Sequence, residues 1–398
     1  MDLMEAILSS KIVFSEPDHP RLSPLGNAEP SVNWFLQSTR EEARYARRAV
    51  NSAYAAFPDE NDALLKRLRS TKPSWHAQAL DELGVHSLIA RNAVVAYEER
   101  DGSPDFSIYR NGAYLCGVEV ASILLRDDWT NEQNAHGRIA DRLNAELPLD
   151  RWFLAFDVVS WPNDRQPSLG RLVNWVRNVL SGLPEGPTTE PDHYTPPESI
   201  YRNNGTELRF RFFPRKPDAP DRPHGRIVGA GAMIGGFIDS KDRLRDRLRK
   251  KAGSRYQLQE KPFAIFVGLH DIFCTLDEIV DALYGSDQIL VPVGSAPTSD
   301  GRVRSSRAND GFFGISQERP EGKNRRVSAI FAGVFNWHHP SSPISNAIRF
   351  DNPFALTTFP PDVIPVSYTF SRVEHEAGRS SMEWIPNNPL LDSSWPFR

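Results

Sequence analysis

Two acidic residues, Asp105 and Glu119, occupy positions from which neighbouring strands can bring their carboxylates together. Asp105 directly follows Pro104 and opens one strand-like segment, and Glu119 interrupts another that is almost entirely apolar. A carboxylate in a buried strand is unfavourable unless something compensates its charge. Two facing carboxylates repel each other, and a divalent cation between them removes the conflict. We therefore expect Asp105 and Glu119 to bind Mg²⁺ or Mn²⁺, with a backbone carbonyl near Val120 as a further ligand.

Three short strands must position these acids. The segments AVVAYEE, PDFSIYR and AYLCGVEVASIL have the alternation or the apolar content of strands, and Asp-Gly and Asn-Gly sequences separate them. These dipeptides favour tight hairpins because Asn and Gly tolerate positive φ angles. Pairing across the Asn-Gly turn would let Asp105 and Glu119 project from one face toward a common point.

At these residues the chain resembles the PD-(D/E)xK nuclease superfamily. Pro104-Asp105 matches the opening of the family motif, and the tripeptide that begins at Glu119 matches E-x-K except that Ala121 replaces the lysine. The resemblance covers roughly Trp75 to Leu125, where a helix precedes the strands that carry the Asp and then the Glu. It implies a restriction-endonuclease-like core and a Mg²⁺-dependent endonuclease that hydrolyses phosphodiester bonds. The expected substrate is DNA rather than RNA, and the expected setting is defence or repair.

Glu82 is a candidate catalytic residue by the same resemblance, because relatives often place a metal-ordering glutamate on the first helix. The helix predicted from Ser74 to Arg91 carries Trp75, Glu82 and Ile89 at seven-residue spacing, which places the three on one stripe. The alternative is a surface position beside Asp81.

Lys251 is the candidate for the positive charge that the motif lacks. In the helix predicted for KDRLRDRLRKKAGSRY, Leu244 and Leu248 mark the inward face, and Lys251 follows Leu244 by seven residues. The resemblance allows this placement, since several family members carry the catalytic lysine on a nearby helix. The alternative is that Lys251 extends along the apolar surface into water.

Basic residues near these elements are expected to contact nucleic acid. The net charge of −4 means that the chain as a whole is not basic, so local clusters have to provide the positive field. The segment GRVRSSR further suggests a mobile basic loop. The expected nucleic-acid-binding residues are Arg247, Lys250, Arg255 and Arg304.

Two alternatives concern the function of the acids. Ala121 in place of the motif lysine favours a catalytically inactive nuclease-fold protein that acts as a nucleic-acid- or protein-binding subunit. Asp157 interrupts the apolar strand RWFLAFDVVSW and is either a further site acid or a residue at a strand end or edge.

The expected fold is α/β, with a central mixed sheet flanked by helices, additional strands and a long irregular C-terminal tail. Residues 1–73 are expected to form an N-terminal helical arm. Residues 74–290 are expected to form the nuclease-like core, with a proline-rich insertion at 183–223. Residues 291–398 would contain the basic loop, one strand and a tail that wraps the surface.

Composition favours a cytoplasmic protein, and the nuclease resemblance implies nucleic acid as its partner. Two cysteines exclude a disulfide framework, and no apolar run approaches the ~20 residues of a membrane span. The 32 prolines predict long irregular connections. Both a homo-oligomer and a partner protein remain open, and a phosphate-binding P-loop and a G-x-S-x-G elbow are absent from the sequence.

Overall fold

The computed structural model of the chain forms two compact units. The first unit combines the described parts of 1–16, 41–125 and 238–398, and the second those of 17–40 and 126–237. The division differs from the three segments expected from the sequence, since 126–237 separates and 41–73 joins the unit of the central strands. The described residues are 12–147, 151–162, 167–184, 195–215, 228–230, 239–253, 260–290, 304–315, 320–338, 347–375 and 380–387.

The described chain opens with four helices, and its last six elements are strands. The helices are α1 Val32–Gln37, α2 Glu41–Ala55, α3 Ala63–Leu68, α4 Pro73–Ile89, α5 Asp127–Glu146, α6 Leu169–Ser181, α7 Ser240–Lys251 and α8 Leu276–Tyr284. The strands are β1 Val94–Tyr97, β2 Phe106–Arg110, β3 Ala113–Ile123, β4 Trp152–Ser160, β5 Glu198–Asn203, β6 Thr206–Pro214, β7 Val228–Ala230, β8 Phe263–Leu269, β9 Asp287–Leu290, β10 Arg304–Arg307, β11 Ala329–Gly333, β12 Ile348–Asp351, β13 Tyr368–Glu374 and β14 Ser380–Pro386.

The first unit contains a mixed sheet whose described strands follow the order β1-β2-β3-β8-β11-β12-β13-β14. β1, β2 and β3 pair antiparallel, whereas β3, β8 and β11 run parallel. The expected α/β class with a central mixed sheet and flanking helices is confirmed. α7 and α8 cover part of this sheet through a core cluster that includes Ala121, Ile123, Leu244, Leu248, Ile265, Ile279 and Leu283.

The β2–β3 hairpin has the geometry that its turn residues require. Asn111 and Gly112 have φ angles of 52° and 78°, the positive values of a tight hairpin turn. In the resulting register Phe106 lies opposite Val118. Asp105, the residue before β2, therefore lies beside Glu119.

Two expectations about the C-terminal third were wrong. The tail after Asn352 does not remain irregular, because β13 and β14 pair with each other and β13 extends the central sheet through β12. Apolar contacts stabilise this extension, and the rings of Phe370 and Trp384 lie 4.6 Å apart between centroids. The basic segment at Arg304–Arg307 is not a loop either, since it forms β10 and pairs with β9.

The helix expected to begin at Ser31 is interrupted. α1 ends at Gln37, and Ser38 has an extended backbone with ψ of 132°. α2 begins at Glu41, so α1 belongs to the second unit and α2 to the first.

The second unit contains a four-stranded sheet in the order β5-β6-β4-β7. The expected proline-rich insertion at 183–223 contributes β5 and β6 to it, and residues 185–194 and 216–223 of that insertion lie outside the described residues. One face of the sheet packs against α5 and α6.

Two expectations from composition concern membrane-spanning helices and disulfide bonds. Within the described residues, no helix combines the length and the apolar character that crossing a membrane would need. Cys116 and Cys274 are free buried thiols, which confirms that the chain has no internal disulfide. Burial raises the pKa of each thiol to about 12.

Candidate active site

The carboxylates of Asp105 and Glu119 converge at the start of β2. The Asp105 backbone N–H donates to Glu119 Oε2 at 3.1 Å, and the Val120 N–H donates to Asp105 Oδ2 at 2.7 Å. Each strand thus fixes the acid of the other through a backbone donor. The Glu119 side chain is 1% exposed and that of Asp105 is 16% exposed. The convergence expected from the sequence is present.

Lys251 brings an ammonium group to these two acids from α7. Its Nζ lies 2.5 Å from Glu119 Oε1 and 3.9 Å from Asp105 Oδ2. Leu244 and Leu248 of the same helix are fully buried, so the helix presents the stripe that seven-residue spacing predicts. The alternative in which Lys251 extends into water is wrong, because its side chain is 14% exposed and paired with the acids.

Ala121 lies two residues after Glu119 on β3 and is completely buried. Its side chain therefore projects from the same face of the strand as Glu119. It belongs to one core cluster with Leu244 and Leu248, so α7 packs over the position that carries the lysine in the family motif. The small side chain is compatible with this close packing, and Lys251 of that helix brings an ammonium group to Glu119.

The surroundings of Asp105 disfavour its ionised form. Burial and the neighbouring Glu119 carboxylate raise the pKa of Asp105 well above its ordinary value. Lys251 and the Val120 N–H act in the opposite direction, and Glu82 adds to the increase. Burial and the neighbouring acids thus outweigh the single ammonium group in setting the pKa of Asp105.

Glu82 is a buried member of the same electrostatic neighbourhood, and its expected surface alternative is wrong. Its carboxylate accepts two hydrogen bonds from the Arg67 guanidinium, at 2.7 and 2.6 Å, and one from Tyr97 at 2.8 Å. Gln78 Nε2 donates to it at 3.1 Å. Glu82 is therefore held in place by α3, α4 and β1, while its charge still acts on Asp105. Sequence reasoning did not identify Arg67 or Tyr97.

A second buried acid, Asp81, joins α4 to the central strands. Its Oδ2 accepts a hydrogen bond from Ser122 Oγ at 2.5 Å and lies 2.9 Å from His270 Nε2. Burial acts to lower the pKa of His270, but the charge of Asp81 and the hydrogen bond to it outweigh burial and raise that pKa above its ordinary value. Gly268 allows the close approach, because a Cβ there would lie 1.9 Å from Asp81 Oδ2.

The basic residues expected to bind nucleic acid have different surroundings. Arg247 Nη2 donates to Gln78 Oε1 at 3.3 Å, which places it beside the Glu82 network, and Lys250 is exposed. Arg255 and the side chain of Arg304 lie outside the described residues. Acidic partners engage other arginines of α7, namely Arg243 with Asp271, Arg245 with Asp310 and Arg249 with Asp246.

Asp157, the other candidate acid, has a different partner. It lies on β4 of the second unit and pairs with Arg211 at 2.6 Å. The alternative of a strand-end or edge position is wrong, because Asp157 lies within β4, a central strand of its sheet.

The acidic pair has the donor chemistry of a site for a hard divalent cation. Mg²⁺ prefers oxygen ligands, commonly uses one or two protein carboxylates and keeps several waters. Within the described residues no group of three or more His, Cys, Asp and Glu side chains is arranged to hold a metal ion. Asp105 and Glu119 fit the smaller set that Mg²⁺ accepts, and a divalent cation would reduce the repulsion between their carboxylates.

Comparison with models of known protein families, with curated proteins and with solved structures gave no match. Any functional assignment therefore depends on the geometry of the site.

Proposed function

We propose that the chain is a metal-dependent nuclease of the PD-(D/E)xK type that hydrolyses phosphodiester bonds, with DNA as the favoured substrate. One observation carries this assignment. Two carboxylates from neighbouring strands and one ammonium group from a helix, those of Asp105, Glu119 and Lys251, meet within hydrogen-bonding and ion-pairing distance.

The order of elements supports the same assignment. α4 precedes β1, β2 and β3, and the next elements of the first unit are α7 and β8, which runs parallel to β3. This succession of helix, three strands, helix and parallel strand is similar to a restriction-endonuclease-like core. The second unit occupies the connection between β3 and α7.

Each residue has a role that its position allows. Asp105 and Glu119 would hold Mg²⁺ or Mn²⁺, which supplies Lewis-acid chemistry by polarising a phosphate oxygen and acidifying water. Lys251 would stabilise charge that develops on the phosphate or orient the attacking water. Glu82, restrained by Arg67 and Tyr97, adds negative charge that favours cation binding.

Incubation of plasmid DNA and of RNA with the full chain and Mg²⁺ or Mn²⁺ tests this function. We expect the wild-type protein to nick or linearise DNA and Asp105→Ala to lose that activity. Asp101→Ala, which removes an exposed acid from the preceding turn, is the matched control and should retain it. Cleavage that persists in Asp105→Ala, or that requires no divalent cation, would contradict the proposal.

A second function, a catalytically inactive nuclease fold that binds nucleic acid, is favoured by one observation. Lys251 lies 2.5 Å from Glu119 and forms a buried ion pair with it, as a structural salt bridge would. In that case the gel would show retarded migration of DNA without cleavage, both for the wild type and for Asp105→Ala.

A further inference from the structure

The four-stranded sheet of the second unit leaves one face uncovered by the described helices. The other face packs against α5 and α6 through Leu154, Phe156, Leu208 and Phe210, each of which is at most 2% exposed. Side chains alternate between the two faces of a strand, so the residues between these project away from the helices. Apolar residues on that side are exposed, with Phe153 at 46%, Val159 at 42% and Ile200 at 38%.

Two phenylalanines lie next to each other on the uncovered face. Phe153 of β4 is directly opposite Phe213 of β6, and these are the two central strands of the sheet. The Arg215 guanidinium lies 5.7 Å from the centroid of the Phe153 ring. Aromatic rings that remain open on a sheet surface, beside an arginine, offer planar groups a stacking surface.

The positions beside this pair are small. Ala155 follows Phe153 on the same face of β4, and its register partner on β7 is Gly229. Among the described residues that are not its chain neighbours, none has an atom within 4 Å of where a Cβ of Gly229 would be. The surface next to the Phe153 ring therefore leaves room for a flat ligand.

Arginines form the charged part of the same face. Arg209 and Arg211 precede Phe213 at two-residue intervals along β6, and Arg209 is exposed. Asp157 compensates Arg211 at 2.6 Å, and among the described side chains no acid forms an ion pair with Arg209. Alternate residues of a strand lie ~6.6 Å apart, so β6 presents Arg209, Arg211 and Phe213 in a row on this face. The register places the acids Asp157 and Glu198 opposite Arg209 and Arg211.

We propose that this face of the second unit binds single-stranded nucleic acid. Bases would stack on Phe153 and Phe213, and Arg209 and Arg215 would contact phosphates, as in four-stranded sheets whose surface aromatic residues stack unpaired bases. A duplex does not expose its base faces, so this surface favours a single strand. The surface lies in a different unit from the proposed nuclease site and requires no cleavage activity.

Fluorescence anisotropy of labelled 15-nucleotide strands tests the inference. The full chain with Asp105→Asn, in EDTA, keeps each probe intact, and the probes are single-stranded DNA, single-stranded RNA and the matching DNA duplex. We expect at least one single strand to bind about tenfold more tightly than the duplex. Phe153→Ala and Phe213→Ala should each weaken that binding about tenfold, in line with the loss of one base–aromatic stack.

A matched pair of charge reversals provides the control. Arg209→Glu should weaken single-strand binding strongly, whereas Arg177→Glu, on the exposed side of α6, should change it less than twofold. Unchanged single-strand binding in Phe153→Ala and Phe213→Ala would overturn the inference. Equal affinity for the single strands and the duplex, or no binding of either single strand, would overturn it too. A protein partner would then be the occupant of this face. Loss of cleavage in every assay would contradict the nuclease and leave this binding untouched.

Discussion

Lys251 Nζ lies 2.5 Å from Glu119 Oε1, although the two residues are 132 positions apart in the chain. The lysine reaches the acid from a helix, across Ala121, which occupies the position of the motif lysine on the strand. Asp105, Glu119 and Lys251 thus bring two carboxylates and one ammonium group to one point.

Divalent cations should stabilise the protein through the acidic pair. A ligand that binds only the folded state raises the free energy of unfolding in proportion to the logarithm of its concentration above Kd. We expect millimolar Mn²⁺ to raise the Tm of the wild type in a thermal denaturation experiment and EDTA to reverse the effect. Asp105→Asn retains the hydrogen bond from the Val120 N–H but should lose the response. An equal increase in Tm for Asp105→Asn would show that the ion binds elsewhere, and Asp101→Asn controls for the loss of a surface charge.

The Arg67–Glu82 pair should be strongly coupled. Arg67→Met leaves the Glu82 carboxylate, which is 2% exposed, without its main partner, and removal of one member of a buried pair costs about 3 kcal/mol. Adding Glu82→Gln should recover much of that loss, with a coupling energy of ~2 kcal/mol in a double-mutant cycle. Urea denaturation of the two single variants and the double variant measures the coupling. Strict additivity would mean that the pair contributes nothing beyond its separate contacts.

Gly268→Ala should disrupt the contact between α4 and the sheet. The added Cβ would lie 1.9 Å from Asp81 Oδ2, so Asp81 would have to leave Ser122 and His270. We expect a loss of about 2–3 kcal/mol in the free energy of unfolding, the amount associated with breaking a buried hydrogen-bond network. Gly229→Ala is the matched control, since that strand glycine has open space at its Cβ and should change stability by less than about 0.5 kcal/mol. Similar values for the two variants would contradict the packing described for Asp81.

His86 should reduce the stability of the protein in acid. It is 3% exposed beside the rings of Phe57 and Phe106, and burial lowers its pKa from 6.5 to about 4. Between those pH values the unfolded chain binds a proton that the folded protein does not, so the free energy of unfolding decreases as the pH falls. The full difference corresponds to about 3 kcal/mol.

His86→Phe removes this titration while filling the same aromatic cluster. Denaturant titrations between pH 7 and pH 4, with the variant's values subtracted from those of the wild type, isolate the contribution of His86. We expect the difference to be constant above pH 6.5 and to change progressively below it. Parallel stability curves across the whole range would mean that His86 is not a buried neutral imidazole.

The parts of the site that local sequence encodes could be predicted. The Asn-Gly turn and the alternation around it determine the β2–β3 hairpin, and the hairpin register places Asp105 beside Glu119. The seven-residue spacing from Leu244 identifies the stripe on which Lys251 lies. Each of these inferences depends on residues within one or two elements.

The remaining contacts depend on packing between distant segments. Asp81 and Glu82 are adjacent on one helix, and no local pattern distinguishes the one that meets His270, 189 residues away, from the one that meets Arg67. β13 and β14 lie in a stretch rich in Pro, Ser and aromatic residues, whose composition is also typical of a surface loop. Their strand structure depends on the pairing of β13 with β14 and with β12. Such pairing cannot be inferred from composition.

The cleavage rate of Lys251→Met is the most direct test of the central claim that Asp105, Glu119 and Lys251 form one catalytic site. Arg249→Met removes a positive charge from the same helix, at a residue whose exposed ion pair with Asp246 lies outside the site. The assay uses Mg²⁺ and an excess of enzyme over labelled DNA. We expect Lys251→Met to cleave at least a hundredfold more slowly than the wild type, because electrostatic stabilisers of this kind typically contribute 10²–10³ in rate. The cleavage rate of Arg249→Met should remain within about threefold of the wild-type rate. A Lys251→Met variant that stays folded and cleaves at the wild-type rate would contradict the claim.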